Sequence, residues 1–168
     1  MATTYEKIAT TTLGSSASTI TFSSITGAYT DLRLVLTTST TGTSDYDLRI
    51  NFNSDTSTNY SRTGIDAIGS TIYNFRNSNQ TYLSYVYILG IDPTPALITY
   101  DIFSYAGSTY KTTLITASHD VNSSGNNTVN RTVGLWRSTS AITNILLTAS
   151  GTTFATGTTA TIYGILKA

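Results

Sequence analysis

The chain has no cysteine, which excludes disulfide bonds and thiolate metal sites. It has one histidine, His119, so it does not supply the histidine cluster of a zinc site. Only 11% of the residues are charged, against about 25% in an average soluble domain, and the formal net charge is zero. A domain that binds nucleic acid usually has an excess of lysine and arginine. The composition therefore predicts no cofactor and no nucleic acid partner.

Residues that favour helices are also scarce. Glutamate occurs once, lysine three times and methionine only at position 1, whereas threonine and serine occur 36 and 21 times. Threonine, valine, isoleucine and tyrosine favour strands. A hydrophobic content of 39%, with 11% aromatic residues, argues against disorder. We therefore predict an all-β fold in a single domain that spans residues 1–168.

Apolar and polar residues alternate in several segments, which is the pattern of a strand with one buried face. The apolar members of the clearest segments are Ile20 and Phe22, then Leu32, Leu34 and Leu36, then Tyr46, Leu48, Ile50 and Phe52. Further strands are predicted near residues 81–89, 98–104, 112–118, 132–137, 142–148 and 159–166, with turn-forming clusters between them. This spacing predicts an antiparallel, jelly-roll-like β-sandwich of about 8–10 strands with little or no helix.

Three segments need separate interpretation. Residues 62–75 fit a loop, a broken edge strand or one helical turn, and residues 1–13 fit an N-terminal arm or a first strand. In the last segment Ala160 and Ile162 fall on one face and Tyr163 on the other, so both faces are partly apolar. Such a strand belongs inside a sheet. Gly157 and Gly164 are predicted to be bulge or close-approach positions.

Catalytic and metal sites find little support. A hydrolase hypothesis would pair His119 with a serine and an aspartate, but no Gly-x-Ser-x-Gly motif occurs, and His119 at the end of a strand is the favoured interpretation. Asp45, Asp47 and Asp55 flank a strand and could donate oxygen atoms to calcium, although surface solubility explains them better. No pair of carboxylates suggests glycoside hydrolysis. We therefore predict no catalytic residue, no metal site and no enzyme activity.

Tyrosines are concentrated in the middle of the chain, where they suggest a contact surface. Tyr73, Arg76, Tyr82, Tyr85 and Tyr87 lie within fifteen residues of one another. Tyrosine and arginine are the favoured anchors of protein interfaces and of carbohydrate platforms. For Tyr85 and Tyr87 the core or a subunit interface is favoured, whereas Tyr73 and Arg76 are predicted to be exposed. All five are interface candidates.

No segment directs the chain to a membrane. The N-terminal sequence lacks the basic start and apolar centre of a signal peptide. The longest apolar run, residues 85–91, is much shorter than the ~20 residues of a membrane helix. We therefore expect no membrane insertion.

Three further segments carry a family resemblance: YEKIATTTLGSSASTITFSSI, DIFSYAGSTYKTTL and RTVGLWRSTSAITNILLTASGTTFATGTTATIYGILKA. In them the chain resembles small virion structural proteins of tailed bacteriophages, especially phages of marine bacteria. The resemblance covers most of the chain and is weakest between residues 54 and 94. Its markers are strand and turn residues, namely Trp136, Ile142, Ile145, Phe154 and Tyr163.

The resemblance implies a non-enzymatic virion protein that is made in the cytoplasm of the host bacterium. Because no coiled coil or fibre repeat is visible, capsid decoration is favoured: a homo-oligomer, expected to be a trimer, on the outer head surface, with the major capsid protein as partner. The alternative is a tail fibre or another receptor- or glycan-binding tail module. In that case Tyr73, Arg76 and Tyr82 would stack against glycans of the host surface.

Overall fold

The computed structural model describes residues 5–42, 47–86, 90–91, 94–122 and 127–166. Within these ranges it contains thirteen β-strands and no helix, and therefore no helix long and apolar enough to cross a membrane. The strands are β1 (Tyr5–Thr12), β2 (Thr19–Phe22), β3 (Asp31–Thr38), β4 (Asp47–Phe52), β5 (Tyr60–Ile68), β6 (Thr71–Gln80), β7 (Leu83–Val86), β8 (Gly90–Ile91), β9 (Thr94–Phe103), β10 (Lys111–His119), β11 (Thr128–Trp136), β12 (Ile145–Ser150) and β13 (Thr159–Ile165).

The strands form two antiparallel sheets that pack as a sandwich. The first sheet has nine strands in the order β1-β13-β3-β9-β10-β11-β5-β6, with the short β8 paired to β9. The second sheet has four strands in the order β2-β12-β4-β7. The predicted all-β antiparallel sandwich is confirmed, with more strands than the expected eight to ten or so, whereas its jelly-roll character stays a prediction.

The facing sides of the two sheets form one hydrophobic core, and its members follow the alternation seen in the sequence. Side chains without exposed surface include Leu32, Leu34 and Leu36 of β3 and Leu48, Ile50 and Phe52 of β4. Ile20 and Phe22 of β2 are at most 5% exposed. The one-sided burial predicted for these strands is confirmed, and Tyr46 lies outside the described residues.

The C-terminal strand lies inside a sheet, as its two partly apolar faces predict. β13 is hydrogen-bonded to β1 on one side and to β3 on the other. Gly164 is a close-approach position, because a Cβ atom there would collide with the ring of Tyr29. Gly157 has a φ of +86° and makes the turn before the strand. Of the two alternatives for residues 1–13, the first strand is observed, because Tyr5–Thr12 forms β1 at the sheet edge.

Residues 62–75 form most of a long hairpin, β5–β6, that accounts for part of the excess of strands. The hairpin turns at Gly69, which has a φ of +55°. The loop and the helical turn considered for this segment are therefore wrong. The third alternative, a broken edge strand, is partly right. β6 is the last strand of the nine-stranded sheet, but it is one continuous strand.

Candidate interaction surface

Four adjacent strands at one end of the nine-stranded sheet, β10, β11, β5 and β6, come from two hairpins, and we call them the wing. The four-stranded sheet reaches the wing through β7, because a Cβ atom on Gly134 of β11 would lie 2.7 Å from a methyl carbon of Leu83 on β7. Within the described residues no strand lies beyond β6. The wing therefore has an inner face towards β7, an outer face and a free edge.

On β10, β11 and β5 the inner face of the wing is buried and carries several polar side chains. Asp66, Asn130 and Thr132 are at most 4% exposed. Asn130 donates a hydrogen bond from Nδ2 to Oδ1 of Asp66, and the Thr132 hydroxyl donates to Oδ1 of Asn130 over 3.0 Å. Burial raises the pKa of the Asp66 carboxyl, and the hydrogen bond from Asn130 and the charge of Arg62 oppose that rise. The hydrogen bond between Asn130 and Asp66 joins β11 to β5 across this layer.

The outer face of the wing exposes four β-branched aliphatic side chains, which we call the outer patch. Ile65 and Ile72 are 56% and 72% exposed, and Val129 and Val133 are 61% and 50% exposed. Val129 and Ile72 lie in one cross-strand row, and Arg131, between the two valines, lies beside Ile65. In the part of the chain that the structure describes, Arg131 has no ion-pair partner. An exposed apolar cluster around an arginine is typical of a protein contact surface.

The outer patch was not predicted from the sequence. In β11 the usual arrangement is reversed, because the apolar side chains are exposed and the polar ones are buried. Val129 and Val133 are exposed, whereas Asn130 and Thr132 between them are buried. A period of two separates the faces of a strand but does not say which face is covered. Pattern alone assigns valines to the core, so no signal in the sequence could have found the patch.

Tyr73 and Arg76, predicted to be exposed, both lie on β6 and both are exposed. Tyr73 pairs with Asp66 and Arg76 pairs with Thr63, so the two side chains are on opposite faces of the wing. Nη1 of Arg76 donates a hydrogen bond to Oγ1 of Thr63 over 2.8 Å, which holds the guanidinium group on the outer face. The edge strand β6 therefore carries Tyr73 on the inner face of the wing and Arg76 on the outer face.

The other candidate tyrosines lie elsewhere. Tyr82 is half-buried after the end of β6, with the guanidinium carbon of Arg49 4.3 Å from its ring centre. Tyr85 belongs to β7 and pairs with Leu48 in the four-stranded sheet. Tyr87 lies outside the described residues. The structure therefore does not bring Tyr73, Arg76 and Tyr82 together into one platform.

Phe75, which lies in the same aromatic cluster of the sequence but is not one of the five interface candidates, completes the inner side of the edge strand. It pairs with Gly64, and a Cβ atom on that glycine would lie 2.7 Å from the Phe75 ring. On the same ring the guanidinium carbon of Arg62 lies 4.9 Å from the centre. The aromatic ring thus covers the glycine of the neighbouring strand, which keeps the hairpin regular at this point.

An open groove of about 430 Å³ lies at the end of the wing where β10 finishes. His119, the last residue of β10, is 5% exposed, and its Nε2 lies 3.2 Å from the carbonyl oxygen of Thr94. Asp120, Ser118 and Asn127 also line the groove. This location agrees with the strand-end interpretation of His119, and the hydrolase hypothesis stays untested.

The carboxylates considered for calcium make contacts within the chain. Oδ2 of Asp47 accepts a hydrogen bond from Nε of Arg49 over 2.9 Å, and Oδ2 of Asp55 accepts one from Nε1 of Trp136 over 2.7 Å. Asp45 lies outside the described residues. Among the residues that are described, no group of three or more acidic or histidine side chains could hold a metal ion.

Comparison with known proteins gives no family assignment. No family model, curated protein or solved structure matches the chain.

Proposed function

We propose that this chain is a non-enzymatic structural protein of a tailed-phage virion, which decorates the outer surface of the head and assembles with itself. The observation that carries the proposal is the outer patch, in which Ile65, Ile72, Val129 and Val133 are each at least half exposed. Exposed aliphatic clusters on soluble proteins commonly mark contacts with other proteins. The proposal assigns the major capsid protein to the members of this patch on β5 and β11, namely Ile65, Val129 and Val133.

The composition of the surface suits repeated docking on a lattice. Burial of apolar surface contributes about 25 cal/mol per Å², and a chain with only 11% charged residues has few ions to desolvate when it docks. A decoration protein attaches in many copies, so modest contacts in each copy sum to a stable shell. A weakly charged sheet face fits that role better than a deep pocket does.

The order of the strands supports a jelly-roll interpretation of the sandwich. Without the wing hairpins and the two-residue β8, eight strands remain, in the sheet orders β1-β13-β3-β9 and β2-β12-β4-β7. These are the first, eighth, third and sixth strands in one sheet and the second, seventh, fourth and fifth in the other, which is the order of a jelly roll. The wing is then two hairpins, β5–β6 and β10–β11, added to that framework. Viral capsid proteins often use this fold.

The family resemblance in the sequence is the other support. Among its markers, Trp136 ends β11, Ile145 begins β12 and Tyr163 lies in β13. These residues build the sandwich rather than the outer patch. The resemblance therefore supports a shared virion framework, whereas the contact surface is argued from the wing alone.

The tail alternative has less support from the geometry. A glycan platform needs aromatic and polar side chains on one face, but Tyr73 and Arg76 lie on opposite faces of β6, and Arg49 already stacks on Tyr82. One sugar ring cannot contact all three side chains. The alternative is kept as an outcome of the following test.

The test is immunogold electron microscopy of intact virions with antibody against this chain. The proposal expects gold distributed over the head. Gold confined to the tail tip would support the glycan- or receptor-binding alternative instead, and virions without gold would contradict the virion role. Antibody absorbed beforehand with the purified chain is the control for nonspecific labelling.

A binding assay then tests the outer patch itself. Purified chain is added to heads that lack it, and the bound fraction is measured by sedimentation. Ile65→Lys places a charge in the patch and should abolish binding, whereas Thr37→Lys, at an exposed position of β3 outside the wing, should leave binding unchanged. Equal binding of both variants would show that another surface contacts the head.

A further inference from the structure

The free edge of β6 is unlike the other edge of the nine-stranded sheet. β1, at the opposite edge, carries Glu6 and Lys7 and is interrupted by a register shift between Lys7 and Ala9. Such charges and bulges are the usual protection of an edge against pairing. β6 has ten residues, of which none is buried and only Arg76 is charged. Over residues 71–77 Arg76 is its single charged residue and the pairing with β5 has no register shift, so this part of β6 has less of both kinds of protection than β1.

The regular part of β6 is a ladder of seven residues. Its pairing with β5 is uninterrupted from Thr71 to Asn77. Beyond it a register shift follows between Tyr60 and Arg62 of β5, and Asn79 has a φ of +55°. A strand added to the free edge would therefore pair with residues 71–77, whose midpoint is Asn74.

We propose that the free edge of β6 pairs antiparallel with β6 of a second copy of this chain, about a twofold axis at Asn74. The pairing would join two nine-stranded sheets into one continuous sheet. Since it specifies how the chain assembles with itself, the proposal rests on the self-assembly part of the proposed function. An antiparallel edge is self-complementary under a twofold axis, which is why a second copy fits it.

The side chains of β6 also match in this register. On the inner face Tyr73 lies opposite the partner's Phe75, which makes two aromatic cross-strand pairs by symmetry. On the outer face Ile72 lies opposite the partner's Arg76, whose methylene groups can cover the isoleucine. Aromatic pairs and such mixed pairs stabilise antiparallel sheets. Ile72 is the most exposed large hydrophobic side chain of the described residues, at 72%, and the pairing buries it.

Charge favours the same register. With Asn74 on the axis, the two copies of Arg76 are four residues apart along the strands, roughly 14 Å, which exceeds the Debye length of about 10 Å at 0.1 M salt. A shift that centres the pairing on Arg76 would place the two guanidinium groups directly opposite each other, which is unfavourable. With no net charge, the chain has little overall repulsion between copies.

The test measures the mass of the purified chain by sedimentation velocity over a wide concentration range. A dimer is expected that dissociates on dilution, because a single edge contact is a small interface. In Ile72→Lys each new lysine would lie opposite the partner's Arg76, and the twofold axis makes two such repulsive pairs in the dimer. This variant should weaken the dimer by about tenfold or more, whereas Ile72→Glu makes attractive pairs and should preserve or tighten it. Both substitutions are at an exposed position, so the fold of the monomer should be the same in both variants.

Disulfide crosslinking tests the axis directly, since the chain has no cysteine of its own. Asn74→Cys places two thiols opposite each other, at the roughly 4.5–5.5 Å Cα separation of antiparallel pairs, which a disulfide can span. Mild oxidation should give a covalent dimer in this variant. The matched control is Thr112→Cys, at an exposed position of β10 away from the edge, which should form no covalent dimer under the same conditions.

A monomer at every concentration would overturn the proposal, and so would a trimer, which cannot arise from a twofold edge contact alone. A dimer whose dissociation is unchanged by Ile72→Lys would also overturn it. So would an Asn74→Cys variant that does not crosslink. These results concern the isolated chain. Immunogold on virions tests the virion role independently, so failure of one proposal is distinguishable from failure of the other.

Discussion

The two ends of the nine-stranded sheet bury their inner faces in different ways. At the closed end, where β13, β3 and β9 belong to the main sandwich, inner side chains such as Leu34 and Ile162 are aliphatic and fully buried. In the wing, the inner face buries Asp66, Asn130 and Thr132 beside Ile115 and Ala117, and the four aliphatic side chains of the outer patch lie on the other face. Aliphatic burial stabilises by itself, whereas polar burial is tolerated only when each group is hydrogen-bonded. We infer that the closed end provides stability and that the wing provides apolar surface for contact.

Trp136 joins the wing to the four-stranded sheet, and its removal should have the largest effect. Its ring is stacked on Tyr60 of β5, with the centroids 6.3 Å apart, and lies 5.6 Å from the ring of Phe52 in β4. Its Nε1 also donates to Asp55. Trp136→Ala should lower the free energy of unfolding by about 3–5 kcal/mol, measured by urea denaturation with circular dichroism.

Trp136→Phe is the matched control for this prediction. It keeps much of the aromatic contact with Tyr60 and Phe52 but loses the hydrogen bond to Asp55, so its loss of stability should be clearly smaller. A loss below about 1 kcal/mol in Trp136→Ala would mean that the wing and the sandwich are not coupled through this ring.

Substitution of one isoleucine at each end by alanine compares how much the two ends contribute to the free energy of unfolding. Ile162 of β13 has no exposed surface, whereas Ile65 of β5 is 56% exposed. Ile162→Ala leaves a cavity and should cost about 2–5 kcal/mol, whereas Ile65→Ala loses mainly strand preference and should cost less than about 1 kcal/mol. Urea denaturation of the two variants side by side measures the difference. Equal losses would show that Ile65 is packed as firmly as the core.

Much of the closed end could be predicted from the sequence, because in its strands the apolar side chains are the buried ones. Leu32, Leu34 and Leu36 recur at every second position and are all buried, and the two-faced apolar pattern around Ile162 correctly indicated an interior strand. In these strands local pattern and tertiary burial agree. The fold class was predictable for that reason.

The wing could not be predicted in the same way, because its burial depends on partners that are distant in sequence. Asp66 is tolerated inside only because Asn130, 64 residues away, donates to it. Tyr73 and Arg76 were correctly predicted to be exposed, but their placement on opposite faces follows from strand pairing, which composition does not reveal. The outer patch could not be predicted either, because strand pairing decides which face of β5, β6 and β11 is exposed.

Two acidic groups, Asp55 in the segment between β4 and β5 and Asp66 in β5, should respond to pH in opposite directions. Although burial pushes the pKa of Asp55 upward, hydrogen bonds from Asn59, Trp136 and Ser57 outweigh it, and the pKa is lowered below the ordinary 3.8. A carboxyl with a lowered folded pKa contributes stability above its unfolded pKa and loses it as pH falls through the folded value. Asp55→Asn should therefore cost about 1 kcal/mol at neutral pH and progressively less in acid, as measured by urea denaturation at a series of pH values. A cost that does not depend on pH would contradict a role for the charge.

Asp66 should show the opposite and smallest effect, because burial raises the pKa of its carboxyl above the ordinary 3.8. Between the unfolded and folded pKa values the folded state binds more protons, so stability falls as pH rises through that window. At neutral pH the ionised group is then unfavourable, and Asp66→Asn should stabilise the chain by less than about 1 kcal/mol, since the amide oxygen can still accept from Asn130. The gain should disappear as pH falls below the ordinary value. Destabilisation at neutral pH would instead mean that the charge of Arg62 more than offsets burial, and that the polar inner face of the wing is held by attraction between charges.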